Sequence, residues 1–403
     1  MLIYIVLQMI AWVVGIIAIL YLLFHGGVHS WAIRRIKGTH LKAWIAIGVL
    51  IFSVGLYAVA ANPHPPSFAL PPYMQTKAPH GPTAALPLYK SFQFFKEYRD
   101  FERISDIGAD PNAVPPPIAR DHNEVVKISL TTREVIAEVG DGVFFNYWTF
   151  DGQVPGPMLR VREGDDVEIT ITNSPLSLHA HNIDLHAVNG PGGGASLSLV
   201  SPGETKTFRW NALVPGLFVY HCATPNISTH NAHGQYGMIL VEPKEGMEVV
   251  DKEFYLMQGE LYTMGGLGAK GLVPFDAKAL LNEIPSYITY NGKLEKEPRM
   301  EVQAGDRVRL YVGNGGTGLI SAFHVIGEIF DTVYPEAAMG SEPHKNVQTT
   351  TVLPGGASII EFVAEVPGNL LVVDHALSRM NKGAWAVIRV EGEDRPDLYR
   401  AVE

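Results

Sequence analysis

The chain has 403 residues, enough for two or three domains with their own hydrophobic cores. Its 40 glycines and 28 prolines favour turn-rich β structure. The formal charge of −10 argues against nucleic-acid binding, because that binding depends on Lys and Arg side chains that neutralise phosphates.

Two apolar runs, Leu2–Phe24 and Ala43–Ala61, open the sequence, and each has about the 20 residues that a membrane-spanning helix needs. They predict a transmembrane α-helical hairpin over residues 1–61. The loop between the runs is basic, which places it in the cytoplasm by the positive-inside rule: Arg34, Arg35, Lys37 and Lys42. We therefore expect a two-pass protein of the bacterial inner membrane whose soluble part faces the periplasm. The alternative is a signal peptide, since Ala58-Val59-Ala60 resembles a cleavage site.

The soluble part begins with a Pro-rich linker and a short helix over residues 62–98. From about Val125, short apolar segments separated by Gly, Pro and Asn predict β-strands. The segment Leu159-Arg-Val-Arg-Glu-Gly-Asp-Asp-Val returns as Met300-Glu-Val-Gln-Ala-Gly-Asp-Arg-Val. A repeat this long indicates a duplicated domain. We expect a mainly β protein with two tandem Greek-key β-sandwich domains at 99–247 and 248–392, and a C-terminal tail at 393–403.

His221 and the only cysteine, Cys222, are neighbours in the motif Tyr220-His-Cys-Ala-Thr-Pro225. Neighbouring side chains of a strand point to opposite faces, so this pair can bind two different metal ions. A single cysteine also excludes a disulfide within the chain and a site built from several thiolates.

The other candidate ligands divide into two sets by the same alternation. His181 and His186 are five residues apart, so on a strand they too would face opposite ways. One set has two histidines and a thiolate, which with a weak axial ligand is a blue-copper electron-transfer site: His181, Cys222, His230 and Gln235. The other set has only histidines with a carboxylate beside them, which suits a catalytic metal: His186, His221 and Asp184.

These residues resemble the copper-containing nitrite reductases, two-domain cupredoxin enzymes that assemble as homotrimers. The resemblance covers roughly Phe101 to Gly392. Its markers are His181-Asn-Ile-Asp-Leu-His186, Tyr220-His-Cys-Ala-Thr-Pro225, Phe323-His-Val-Ile-Gly-Glu-Ile-Phe-Asp331 and Asp374-His375.

The resemblance implies a role for each matching residue. His181, Cys222, His230 and Gln235 match the ligands of a type 1 copper, and His186, His221 and His375 match those of a type 2 copper. The type 2 copper lies between subunits in the family, so His375 would come from a neighbouring chain. Asp184 and His324 match the pair that handles protons, and Ile326 matches the apolar residue that shapes the nitrite pocket.

The sequence departs from the family pattern at Gln235, where the family usually has Met. Met238, paired with His233 by the same spacing, is the alternative axial ligand, but Gln235 lies two residues before a strand-starting glycine, Gly237, as the axial ligand usually does. An amide oxygen is a harder donor than a thioether, so it favours Cu(II) and lowers the reduction potential. His179 and His233 are expected not to bind metal.

The predicted activity is the one-electron reduction of nitrite to nitric oxide, with electrons passing from the type 1 to the type 2 copper through Cys222 and His221. The electron donor is either a quinol, bound by the membrane part or its junction with the sandwich, or a small periplasmic redox protein; in the second case the helices only tether the enzyme. The rival functions are a cupredoxin electron carrier and a multicopper oxidase. An oxidase would need several His-X-His pairs, and this chain has His179-Ala-His181 alone.

Overall fold

The computed structural model describes residues 13–19, 45, 47–54, 96–295, 297 and 299–402. It divides into two compact units, Met1–Pro65 and Pro66–Glu403. In the first unit, residues 13–19 and 47–54 are helical. Most of the predicted hairpin and linker lies outside the described residues. No helix in the described part of the chain is both long and apolar enough to cross a bilayer.

The second unit is mainly β, as predicted. Its first half contributes nine strands: β1 (Arg103–Ile104), β2 (Val125–Gly140), β3 (Val143–Phe150), β4 (Leu159–Arg162), β5 (Asp166–Asn173), β6 (Asp184–Leu185), β7 (Thr205–Asn211), β8 (Gly216–His221) and β9 (Tyr236–Glu242). Strands β3, β2, β5 and β7 are hydrogen-bonded in that order, with β1 beside β2. Strands β4, β9, β8 and β6 form a second sheet.

The second half contributes the remaining strands: β10 (Lys252–Leu261), β11 (Gly271–Leu272), β12 (Tyr287–Tyr290), β13 (Met300–Gln303), β14 (Arg307–Asn314), β15 (Ser321–Ile326), β16 (Phe330–Tyr334), β17 (His344–Val347), β18 (Thr349–Val352), β19 (Ala357–Val363), β20 (Gly368–Asp374) and β21 (Trp385–Glu391). One sheet has the order β12-β10-β14-β19-β16-β17 and the other β13-β21-β20-β15-β18. Strand β11 instead pairs with β3 of the first half.

Short helices occupy the connections and carry part of the candidate site: α1 (Ala195–Ser198), α2 (Ile227–Ala232) and α3 (Ala277–Leu281). In the described part of the chain, 3₁₀ turns accompany them at Pro191–Gly194, Pro335–Ala337 and Leu377–Lys382. The last strand of the first half ends at Glu242 and the first strand of the second begins at Lys252, on either side of the predicted domain boundary at 247/248.

Each pair of sheets encloses a hydrophobic core, because alternate residues of its strands are apolar. In β5, for example, Val167, Ile169 and Ile171 are fully buried while their neighbours are partly exposed. The first core lies between the two sheets of the first half and includes Cys222. The second core lies between the two sheets of the second half.

A third core joins the two halves. It draws buried side chains from three sheets, including Tyr147, Met238, Met257 and Tyr311. Because this cluster is continuous across the junction, the two sandwiches pack as one body of the second unit. Strand β8, which ends at the candidate ligand His221, contributes Leu217 and Val219 to it.

A buried ionic network also crosses the junction between the halves. Arg160 on β4 donates to Glu242 and, at 2.8 Å, to Glu253 on β10. Arg309 on β14 pairs with the same Glu253 at 2.9 Å and with Glu361 on β19 at 2.7 Å. Each guanidinium therefore has two carboxylate partners in a region from which water is largely excluded.

We expect Arg309→Ala to destabilise the protein by about 3 kcal/mol, because it removes charged hydrogen bonds to the largely buried Glu253 and Glu361. These two carboxylates keep Arg160 and Arg307 as counter-charges. Chemical denaturation of the full chain measures this loss. Arg389→Ala is the control: its exposed pair with Glu301, 3.4 Å apart, contributes at most about 1 kcal/mol. Equal losses for the two variants would contradict the prediction.

Candidate metal centre

Four side chains that were predicted as ligands converge inside the first sandwich: His181, Cys222, His230 and Gln235. The Sγ of Cys222 lies 3.3 Å from Nδ1 of His230, and Nδ1 of His181 also lies 3.3 Å from that nitrogen. Among the described residues, only His181, Cys222 and His230 bring three ligand atoms of His, Cys, Asp or Glu within 4.8 Å of one another. All three are buried.

Gln235 completes this cluster from the loop that precedes β9. Its Oε1 lies 3.3 Å from Nδ1 of His230, and its side chain is fully buried. Its Nε2 has no hydrogen-bond partner. Met238, the alternative axial ligand, instead packs against Gly313 in the core between the two halves. The geometry therefore favours Gln235 over Met238.

The electrostatics of the cluster favour a thiolate. Burial by itself would raise the pKa of Cys222, but His230 and His181 lower it well below its usual value. Burial likewise opposes a charge on His181, yet Cys222 and Glu134 raise the pKa of this imidazole to about 9. Two imidazole nitrogens, a thiolate and an amide oxygen form a donor set that fits copper.

The backbone holds Cys222 in place at the end of β8. Its N–H donates to the carbonyl of Gln235 at 3.0 Å. The N–H of Asn182 donates to the Cys222 Sγ at 3.5 Å, and the side-chain Oδ1 of Asn182 accepts from the N–H of Ala223 at 2.7 Å. Thr224 Oγ1 also lies 3.3 Å from the sulfur. These contacts fix the thiolate from several directions.

His221 points away from this cluster, as strand alternation predicts. Its Nδ1 lies 3.0 Å from the carbonyl of Cys222, so Nδ1 donates and Nε2 keeps its lone pair. That Nε2 lies 3.2 Å from Nε2 of His186, an exposed residue. The structure thus places one buried cluster and one accessible histidine pair on either side of a single peptide bond.

Asp184 lies beside this pair because it is the register partner of His221 in the β6–β8 ladder. Loss of hydration raises the pKa of Asp184, while the charges of His221 and His186 oppose that effect. Its carboxylate lies against the backbone of Gly193, where any Cβ would overlap with Oδ1. Gly193 therefore has to remain without a side chain for the carboxylate to keep this position.

The expectation of one continuous strand from His181 to His186 was wrong. Only Asp184–Leu185 is a strand, and His181 forms an isolated bridge with Val200. The two histidines still separate, with His181 buried and His186 exposed, although the backbone between them is irregular apart from the two-residue strand. A loop, rather than a regular alternation, produces the result.

The second half supplies a separate pair of histidines. His324 on β15 and His375, directly after β20, have ring centroids 5.3 Å apart. The Nδ1 of His324 lies 2.5 Å from the carbonyl of Gln348. Ile326 lies two residues further along β15 and is 43% exposed. His375 is exposed and, within the described residues, belongs to no group of three ligands.

Sequence reasoning missed several residues around the buried cluster. Trp148 packs its ring 4.6 Å from that of His230 and 4.2 Å from that of His233. Glu134 accepts from His179 at 3.0 Å and lies 3.5 Å from Nε2 of His181. The one available signal was a charged residue directly before the apolar run Val135–Ala137 of β2, which does not by itself indicate a site.

The chain is similar to known copper proteins. Residues 132–246 match the family model described as multicopper oxidase. The copper-containing nitrite reductase of Neisseria meningitidis serogroup A / serotype 4A is 49% identical over 289 residues, covering 71% of this chain and 74% of that protein.

Solved structures of copper proteins also superpose on this chain. The copper nitrite reductase from Nitrosomonas europaea superposes with a TM-score of 0.60 at 31% identity, covering 68% of this chain and 96% of that one. A multicopper oxidase superposes with a TM-score of 0.59 at 25% identity, covering 71% and 98%. On this identity and coverage, the chain belongs to the copper-containing nitrite reductases and is an oxidoreductase.

Proposed function

We propose that this protein reduces nitrite to nitric oxide, with a type 1 copper held by His181, Cys222, His230 and Gln235. The observation that carries the proposal is the convergence of a thiolate, two Nδ1 atoms and an amide oxygen in a buried site whose cysteine is the sequence neighbour of His221. An electron that reaches the thiolate then has a short covalent route to the accessible histidine pair.

The proposed type 2 site uses His186 and His221 of one chain and His375 of a neighbour in a homotrimer. Two features support this arrangement: the Nε2 atoms of His186 and His221 lie 3.2 Å apart, and His375 is exposed in a different part of the fold. Copper bound at the two sites would supply the electron and an open position for nitrite.

The reaction consumes one nitrite, one electron and two protons, and it yields nitric oxide and water. Asp184 is the proposed proton donor and orienting group, because its partly desolvated carboxyl retains a proton more readily than an exposed one. His324 is the second proton donor, held by its contact with the Gln348 carbonyl. Ile326 presents an exposed apolar side chain that would narrow the nitrite pocket.

The proposed location is the periplasmic face of a bacterial inner membrane, with residues 1–61 as a two-pass anchor. The apolar runs and the basic loop between them support this topology. The proposed electron donor is a quinol, with a small periplasmic redox protein as the alternative.

The decisive test is nitric oxide release from nitrite by the full-length, copper-loaded protein, with a soluble dye or a quinol as donor. We expect two copper ions per chain and nitric oxide with both donors. One copper per chain without nitric oxide would instead indicate an electron carrier. Oxygen consumption without nitric oxide would indicate an oxidase. Loss of quinol activity, but not dye activity, on removal of residues 1–61 supports the membrane part as the quinol site.

Asp184→Asn should lower turnover by about 10²–10⁴-fold, the usual contribution of a general acid or base, while both copper ions stay bound. Steady-state kinetics and copper analysis measure the two quantities. Unchanged turnover would remove Asp184 from the mechanism.

Gly193→Ala offers an independent test of the same carboxylate, because its Cβ would displace Asp184. It should lower turnover as well. Gly190→Ala in the same loop is the matched control: Gly190 is extended, with φ −173°, and its Cβ would come no closer than 3.7 Å to Val188. A similar loss in both glycine variants would point to general loop damage.

Gln235→Met should raise the reduction potential of the type 1 copper, because a thioether favours Cu(II) less than an amide oxygen does. The metal-free variant should also be more stable by about 1–3 kcal/mol, since the buried, unpartnered Nε2 is removed. Redox titration and thermal unfolding measure these effects.

Gln258→Met is the control for stability. Gln258 is equally buried, but its amide donates to Asp374 at 3.2 Å and accepts from Ser321 at 2.7 Å. Its replacement should therefore destabilise the protein by about 1–3 kcal/mol. An unchanged potential in Gln235→Met would refute the axial assignment.

A further inference from the structure

Glu134 is a buried carboxylate whose partners all lie beside the copper ligands. It belongs to β2, and its side chain is fully shielded from solvent. Its Oε1 accepts from the backbone N–H groups of Leu178 and His179 at 2.8 and 2.7 Å. The same oxygen lies 3.0 Å from Nδ1 of His179 and 3.5 Å from Nε2 of His181.

Glu134 has unusual charge partners for a buried carboxylate. Burying a carboxylate is costly unless a positive charge lies close by. In the described part of the chain, its ion-pair partners are His179 and His181, with no lysine or arginine. The charged groups that could balance Glu134 in this region are therefore the two imidazoles or a metal ion bound to one of them.

His181 presents its two ring nitrogens to different groups. Its Nδ1 faces the cluster with His230, while its buried Nε2 lies 3.5 Å from Oε1 of Glu134 and forms no hydrogen bond within the described part of the chain. The ring of Trp148, with its centroid 5.8 Å away, borders the same imidazole. Only the tautomer with a proton on Nε2 leaves the Nδ1 lone pair free for a metal.

We propose that Glu134 is a positioning residue for the type 1 copper, which holds the Nε2–H of His181 and stabilises Cu(II) relative to Cu(I) with its negative charge. The inference rests on the proposed copper site at His181, Cys222 and His230. Histidine ligands commonly donate their second ring N–H to a carboxylate, which fixes the ring and raises the basicity of the ligand. The charge of Glu134 acts through a buried, weakly screening region, so it favours the more positive oxidation state.

A buried glutamate with a purely structural role would have no contact with a proposed copper ligand, and the chain contains such a residue. Glu260 is also buried and accepts from the backbone N–H groups of Leu319 and Thr317, at 2.8 and 3.2 Å. Its other partners are hydroxyl groups of Thr317 and Tyr262, and neither is a proposed copper ligand. Glu134 and Glu260 thus brace loops in the same way, but only Glu134 lies next to a predicted ligand.

The test compares Glu134→Gln with Glu260→Gln in the full-length, copper-loaded protein. Glutamine keeps an oxygen that accepts the backbone N–H groups, but it removes the charge. We expect Glu134→Gln to shift the Cu(II)/Cu(I) equilibrium about tenfold towards Cu(I), which is about 59 mV for one electron. The affinity for the type 1 copper should fall about 10–100-fold. Redox titration of the thiolate-to-copper absorption band and copper competition measure these changes.

Glu260→Gln should leave both quantities within about twofold of the unsubstituted protein, a difference well below the tenfold shift expected when a carboxylate beside a ligand histidine is lost. Glu134→Asp keeps the charge, so its potential should lie closer to that of the unsubstituted protein than that of Glu134→Gln does. The same potential in Glu134→Gln and Glu260→Gln would overturn the inference. Absence of the absorption band in the unsubstituted protein would instead overturn the proposed copper site itself.

A structure of the copper-loaded, unsubstituted protein keeps the inference testable if Glu134→Gln does not fold. We expect Nδ1 of His181 on the copper and Nε2 within hydrogen-bonding distance of Glu134 Oε1. Binding of copper through Nε2, or a rotation that separates His181 from Glu134, would overturn the inference.

Discussion

The candidate site depends on one buried thiolate that is held next to imidazole nitrogens. Without water, the charge of Cys222 is tolerated only because His181 and His230 lie beside it, and the backbone contacts at the end of β8 leave it little freedom to move away. Its position then determines that of His221. The two residues share a peptide bond and point to opposite sides. Cys222 therefore belongs to the buried cluster, and His221 belongs to the accessible histidine pair.

The proposed type 2 site would take only two of its three histidines from the first half of a chain, because its candidate ligands lie in separate pairs. His186 and His221 face each other from β8 and the loop after β6, whereas His324 and His375 face each other from β15 and the end of β20. Each pair contains one exposed imidazole, His186 in the first pair and His375 in the second. A metal that needs three histidines has two from the first pair and requires a third from elsewhere, which a second subunit in a symmetric trimer would supply.

Much of this arrangement was predictable from the sequence, but the physical basis differed from residue to residue. The adjacent His221 and Cys222 required only strand alternation, and β8 does end at His221. The prediction that His181 and His186 face different regions is correct, but it assumed a regular strand. The backbone there is irregular, and irregular backbone leaves no periodic pattern in the sequence. Glu134 could not be found from the sequence, since it lies 47 positions from His181 along the chain and meets it only through the pairing of β2 with the rest of the sandwich. Local sequence patterns do not encode the register between strands that are distant along the chain.

Gln235 and Glu134 act on the proposed copper in the same direction. The amide oxygen is a harder ligand than the usual thioether, and the carboxylate adds negative charge behind His181. Both would stabilise Cu(II), so both would lower the reduction potential of the proposed relay. A relay of lower potential would pass its electron on more readily and accept one less readily. Its donor would then have to be a stronger reductant than a relay with an axial Met needs, a condition that is compatible with the proposed quinol donor.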